Sequence, residues 1–150
     1  GWFKPLAYAC ILFRKEGLPC VFYGDYYGLP SHNILPMPDL KKMIKIREKY
    51  AYGQQVDYFD HENVVGFIRK GVSEQKHSGI AVLMSDGPGG NKHMCMGKEN
   101  ANKTYYDASG RCFETVTTDE NGWGNFRCDG GSVSVWITEN AYEYIRTELE

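Results

Sequence analysis

Asp25 is the first residue in this chain whose setting could do chemistry. It follows the apolar run Pro19-Cys-Val-Phe-Tyr23 and lies inside the glycine-bracketed loop Gly24-Asp-Tyr-Tyr-Gly28. In an α/β sheet, catalytic groups collect in loops at the C-terminal ends of strands, so a carboxylate here is a candidate nucleophile. Other groups offer less. The run Gly87 to Lys92 lacks the Walker spacing and its Ser or Thr, which favours a hairpin turn over a phosphate loop. Asn102-Lys103-Thr104 fits a glycosylation acceptor, a pattern common by chance. Trp123, Trp136, Tyr105 and Tyr106 could stack on sugar faces, although aromatic residues more often pack in a core or against a partner domain.

The five cysteines (Cys10, Cys20, Cys95, Cys112, Cys128) form no Cys-x-x-Cys, and His32, His61, His77 and His93 have no mutual spacing that suggests a site, which argues against zinc. A Cys112 to Cys128 disulfide stays open, and Cys10 and Cys20 read as small buried hydrophobes. Free thiols point to a reducing compartment, so the expected location is cytoplasmic rather than secreted.

These residues need a frame. Of 150 residues, 42 % are hydrophobic and 14 % aromatic, enough to build a core, and the net charge of −2 supplies no basic footprint for nucleic acid or an acidic membrane surface. No apolar run approaches a membrane span, and no signal peptide can be found behind Gly1. From Pro19 to Tyr23 there is no polar alternation, the pattern of a parallel strand covered on both faces. A helical pattern precedes it and another follows, with no second strand nearby to satisfy its edges. The expectation is that the rest of its sheet lies outside this chain.

The first helix is predicted over Trp2 to Glu16, with Phe3, Leu6, Ala7, Cys10 and Ile11 on one face and Tyr8, Ala9, Leu12 and Phe13 filling much of the rest, so that it is buried on most sides; Arg14 and Lys15 lie in its last turn, and Gly17 and Pro19 end it. After a proline-rich loop, Asp39 can cap a second helix. Leu40, Met43, Ile44, Tyr50 and Ala51 make its apolar stripe, Lys41, Lys42, Lys45 and Lys49 its wet face, and Gly53 closes it. Beyond Gly53 the texture changes to eight short strand candidates: 56–59, 64–69, 79–85, 93–96, 103–106, 114–118, 124–127 and 133–138. They are separated by turn words such as Asn121-Gly122 and Asp129-Gly-Gly131. In the last of them Val133, Val135 and Ile137 alternate with Ser134 and Trp136, marking one core face. Together these predict an antiparallel Greek-key β-sandwich over residues 55–138. The tail 139–150 carries Ala141, Tyr144, Ile145 and Leu149 at helical spacing and is a docking helix or a frayed end.

Several long words now carry a resemblance: Phe3-Lys-Pro-Leu-Ala-Tyr-Ala9, Gly17-Leu-Pro-Cys-Val-Phe-Tyr-Gly-Asp-Tyr-Tyr-Gly28, Ala51-Tyr-Gly53, Asp57-Tyr-Phe-Asp-His61, Ser85-Asp-Gly-Pro-Gly-Gly90 and Gly130-Gly-Ser-Val-Ser134. In this order they resemble the bacterial liquefying α-amylases, retaining glycoside hydrolases, from Gly1 to about Thr138. The resemblance implies an α/β part followed by an all-β part. Residues 1–54 would be the end of a TIM (β/α)8 barrel with Pro19 to Tyr23 as its last strand, 55–138 the C-terminal sandwich, and 139–150 a tail.

It also implies cleavage of internal α-1,4-glucosidic bonds of starch and maltodextrin by a nucleophilic Asp, an acid/base Glu and a stabilising Asp, all upstream of Gly1. No catalytic residue matches within this chain. A retaining mechanism needs a second carboxyl group about 5 Å from the nucleophile, and none can be set beside Asp25, which is expected instead to brace the barrel mouth by accepting backbone hydrogen bonds.

Carried over residue by residue, the family's calcium ion between barrel and sandwich would take the Glu62 carbonyl, the Asn63 side chain and the Asp86 carboxylate. Asn63 stands where a carboxylate is usual, and calcium affinity follows ligand charge, so the site should be weakened; alternatively both residues only make turns. The remaining ligands would come from upstream, and the chain alone should bind calcium poorly. Two functions follow: the C-terminal part of an α-amylase, inactive without its barrel, or a freestanding carbohydrate-binding β-module using Trp123 or Trp136.

Overall fold

Two antiparallel sheets and three long helices stack in layers, because the central sheet is apolar on both faces. The computed structural model describes residues 3–60 and 63–149. Among them lie α1 (Phe3–Phe13), α2 (Tyr23–Tyr27), α3 (Leu40–Tyr50), β1 (Gln55–Tyr58), β2 (Val64–Arg69), β3 (Ile80–Ser85), β4 (Gly90–Cys95), β5 (Thr104–Asp107), β6 (Val116–Thr117), β7 (Trp123–Cys128), β8 (Val133–Thr138) and α4 (Glu139–Leu149). All eight strand candidates form, each within a few residues of its expected bounds. Six make one sheet in the order β1-β2-β3-β8-β5-β6, and β4 and β7 pair as a separate ribbon.

β3 and β8 occupy the centre of the large sheet, with Val82 opposite Val135 and Ile80 opposite Ile137. One face, with Phe67, Ile80, Val82, Val133, Val135 and Ile137, meets the helices. From that side α1 contributes Leu6, Ala9, Leu12 and Phe13, α3 contributes Leu40, Met43, Ile46 and Tyr50, and α4 contributes Ala141 and Ile145. On the other face Ile68, Ala81, Leu83, Tyr105 and Trp136 meet Met94, Phe126 and Cys128 of the ribbon. Phe126 lies edge-on to Trp136 at 5.8 Å and to Tyr105 at 5.9 Å, pairs each worth about 0.5–1.5 kcal/mol beyond their buried area. β8 is therefore covered on both sides, Ser134 and Trp136 included, and not on the single face that its alternation suggests. The tail resolves to a docked helix.

The largest departure concerns Pro19 to Tyr23, which is not a strand. The segment runs extended outside either sheet and passes at Tyr23 into the one-and-a-half-turn α2. Among the described residues no strand lies beside it, and the Phe22 carbonyl accepts from the Asp25 and Tyr26 amides instead. Helix α1 stops at Phe13, short of Glu16, since the Lys15 amide donates to the Gln55 side chain rather than to a helical carbonyl. Leu6, Tyr8, Ala9, Leu12 and Phe13 are buried as expected, whereas Ala7 and Ile11 are exposed, so the helix is covered on fewer sides than expected.

Helix α3 has its expected length, but Ile46 is fully buried where Ile44 is only partly so. Asp39 sits at the N-cap with a left-handed φ of 68° and makes no capping bond. Its carboxylate turns to Lys42 at 3.6 Å and Arg111 at 3.8 Å. Gly53 does close the helix. Its φ is +90°, and a Cβ there would lie 2.4 Å from the Gly71 carbonyl oxygen, so only glycine lets the chain pass that loop.

Candidate functional site

Helix α1 carries Lys4 and Tyr8 one turn apart, a spacing that puts both side chains on one face. That face meets Asp25 in the first turn of α2. Lys4 Nζ donates to Asp25 Oδ1 at 2.6 Å, and the Tyr8 hydroxyl donates to Oδ2 at 2.7 Å while accepting the Phe22 amide at 3.1 Å. The hydrogen bond from Lys4, with that from Tyr8 second, holds the Asp25 carboxyl below its ordinary range. Burial of Tyr8, with its bond to Asp25 second, pushes the phenol up. Asp25 is thus a buried, ionised clamp between α1 and α2. It does brace the loop, but through side-chain donors rather than the backbone amides expected. Its contacts include no second carboxylate, so nothing here assembles the pair that retaining chemistry needs.

The expected calcium ligands fall at the other flank of α1. Glu62 lies outside the described residues. Asn63 and Asp86 line one cleft of about 210 Å3, walled by Leu6, Ala7, Cys10, Val65 and Met84. Asn63 approaches Gly87 closely enough that a Cβ there would stand 3.5 Å from its Oδ1. Both residues line this cleft, and the donor set they offer is one amide and one carboxylate against largely apolar walls. Calcium takes six to eight oxygens, so these residues do not fit the ion by themselves. Among the described residues no group of three His, Cys, Asp or Glu side chains could hold a metal.

The aromatic candidates separate cleanly. Tyr105 and Trp136 are core residues, Trp136 only 1 % exposed, and neither can present a ring to a sugar. Tyr106 stacks on Tyr142 at 4.9 Å and Trp123 on His93 at 5.0 Å; of the four, Trp123 alone has a largely exposed ring. All five cysteines are free. Cys112 and Cys128 form no disulfide, and Cys20 is exposed rather than buried. Burial pushes the Cys112 thiol up to about 11, so it is protonated at neutral pH.

Two arrangements escaped sequence reading. Lys92, buried on β4, pairs with Asp60 at 2.6 Å, which ties the ribbon to the turn after β1; nothing in local spacing links residues so far apart. Asp107 accepts from the Ser109 and Val135 amides, the Ser109 hydroxyl and the Cys112 amide. Asp-x-Ser at the end of a strand is a turn signal that could have found it.

Comparison with known proteins adds the following. Residues 81–137 match the family model described as "Alpha-amylase C-terminal". The chain is 55 % identical over 140 residues to an α-amylase of Geobacillus stearothermophilus, an alignment covering 91 % of this chain and 25 % of that protein. It is 48 % identical to a glucan 1,4-alpha-maltohexaosidase of Bacillus sp. strain 707, over 92 % of this chain and 27 % of the relative. The chain thus spans about a quarter of the length of these relatives. Among solved structures, a γ-cyclodextrin glucanotransferase of alkalophilic Bacillus clarkii superposes with a TM-score of 0.60 at 18 % identity, covering 91 % of this chain and 23 % of the other; at that identity the likeness speaks for the fold alone.

Proposed function

We propose that this chain is the C-terminal part of an endo-acting, retaining α-amylase whose catalytic carboxylates lie on a barrel upstream of Gly1, a reading supported by the match of residues 81–137 to the family model described as "Alpha-amylase C-terminal". The whole protein would hydrolyse internal α-1,4-glucosidic bonds of starch and maltodextrin, and the 150-residue chain would be inactive alone. Residues 1–54 would then be the last part of that barrel, 55–138 the C-terminal domain and 139–150 its docked tail.

The observation that carries this reading is the bare state of the segment before α2. Leu18 is 96 % exposed, Phe22 53 % and Tyr23 65 %, and the amides of Cys20 and Val21 bond to no other described residue. Large apolar side chains beside unpaired backbone are what a strand presents before its neighbours are added. A freestanding carbohydrate-binding module accounts for none of this, and it loses Trp136 as a ligand. Calcium would need further oxygens from the barrel beside Asn63 and Asp86. Five free thiols, with Cys20 exposed, favour a cytoplasmic location.

The test is a chimera. The Geobacillus stearothermophilus relative, with its matching quarter replaced by this chain, should liquefy starch, whereas that relative cut at the same point, and this chain alone, should not. Starch hydrolysis by the 150-residue chain itself would overturn the assignment, as would an inactive but folded chimera.

A further inference from the structure

A groove of about 400 Å3 lies between the segment after β5 and the outer face of β7. Its floor is the edge of Trp136, whose indole N–H is already donated to Ser134 Oγ at 3.0 Å and the Arg127 carbonyl at 3.3 Å. One wall comes from the β4–β7 ribbon. Asn91 faces Arg127 across that ladder, and Asn125, two residues before Arg127, shares its outward side. The other wall is the segment holding Arg111, Phe113 and Glu114, tied at its base to Asp107 by three hydrogen bonds from Ser109 and Cys112, while the Val135 amide of β8 donates a fourth to the same carboxylate.

Three features bear on what the groove takes. Phe113 is 94 % exposed, a large ring held in water at the rim of a cavity, with no described residue covering it. The side-chain amides of Asn91 and Asn125 bond to no other described residue, which leaves planar donor and acceptor pairs facing the groove. Charge is balanced: Arg111 and Arg127 are matched by Glu114 and Asp129, with Arg127 3.6 Å from Asp129. An anionic or cationic ligand would gain little from such a lining. A neutral, hydroxyl-rich ligand with one apolar face would match the ring, the amides and the ion pairs together.

We propose that this groove is a carbohydrate-binding site for a short stretch of α-glucan, with Phe113 as the stacking platform and Asn91, Asn125 and Arg127 as hydrogen-bonding partners of the sugar hydroxyls. The groove itself points to a neutral saccharide, and the choice of an α-linked glucan rests on the function proposed above. Because Asp107 already fixes one wall and the β-ladder the other, little ordering is needed on binding.

Native gels containing soluble starch or laminarin, a β-1,3-glucan, test this on the 150-residue chain with its Phe113→Ala and Asn125→Ala variants. Both side chains are exposed, and unchanged urea midpoints will show that the variants keep the fold. The expected result is retardation by starch, weakened about tenfold by Phe113→Ala, the equivalent of 1.4 kcal/mol, and less by Asn125→Ala. No retardation by starch, equal retardation of parent and variants, or retardation by laminarin alone would each overturn the proposal. None of these outcomes affects starch liquefaction by the chimera, which tests the parent assignment separately.

Discussion

Replacing Tyr8 by Phe removes one oxygen atom from the clamp and leaves the ring in place, so the change reports on hydrogen bonding rather than packing. That oxygen serves two groups, donating to Asp25 Oδ2 at 2.7 Å and accepting the Phe22 amide at 3.1 Å. Without it, among the described residues, a buried carboxylate loses one of its two side-chain donors and the Phe22 amide loses its only acceptor. Unsatisfied groups of this kind cost about 1–3 kcal/mol. In a chain of this size that lowers the melting temperature by roughly 2–4 °C per kcal/mol.

The internal control is Tyr52→Phe, whose hydroxyl donates to the Glu48 carbonyl at an exposed position and should change stability by less than about 0.5 kcal/mol. Urea unfolding of the three proteins side by side, with calorimetry, is the assay. Limited proteolysis should also cut faster between residues 14 and 22 in Tyr8→Phe, because the Asp25 carboxylate is then held by Lys4 alone and the Phe22 amide is released. If Tyr8→Phe proves as stable as Tyr52→Phe, the clamp does not hold α1 to α2 and the account of Asp25 fails.

The same carboxylate sets an acid limb. Its folded pKa is lowered, so its contribution is complete above the ordinary Asp value of about 4 and is lost as pH falls through the lowered one; urea midpoints between pH 2 and 6 should drop for the parent and be flatter for Asp25→Asn. Two glycines of like φ should diverge. At Gly122, φ +89°, a Cβ would stand 2.0 Å from the Gly97 carbonyl oxygen, whereas at Gly110, φ +76°, it meets nothing within 4 Å. Gly122→Ala should therefore fail to yield folded protein, and Gly110→Ala should cost only the left-handed penalty of about 1–2 kcal/mol, as read by circular dichroism and urea midpoints.

What the sequence made legible follows from what is local. The eight strands were readable because each is short, β-rich and fenced by glycine, asparagine or aspartate turns. Helix α3 was readable from its period and Gly53. The run from Pro19 to Tyr23 misled because a continuous apolar stretch says that something should cover it, whereas being a strand depends on partners that no window of sequence contains. The clamp half emerged. Asp25 stood out by its loop, but its donors, Lys4 and Tyr8, sit on a helix read only for its apolar face. Trp136 and Ser134 looked like the outward side of β8, since an alternating strand gives no sign that a separate two-stranded ribbon will cover its polar face as well. Asn63 and Asp86 line one cleft, and the scarcity of oxygens around them becomes visible only in three dimensions.

The end of α1 is finished by residues far along the chain. Arg47 donates to the Leu12 carbonyl at 2.6 Å and Arg69 to that of Phe13 at 3.0 Å, so the terminal acceptors of the first helix are satisfied by guanidinium groups from α3 and β2. The sheet face on which that helix rests is complete only with β8. During synthesis, therefore, α1 leaves the ribosome well before the residues that anchor it, and it stays unanchored until more than a hundred further residues have emerged. Any barrel of which it forms a part would inherit that delay, closing from its far end only after the trailing β-layers have formed.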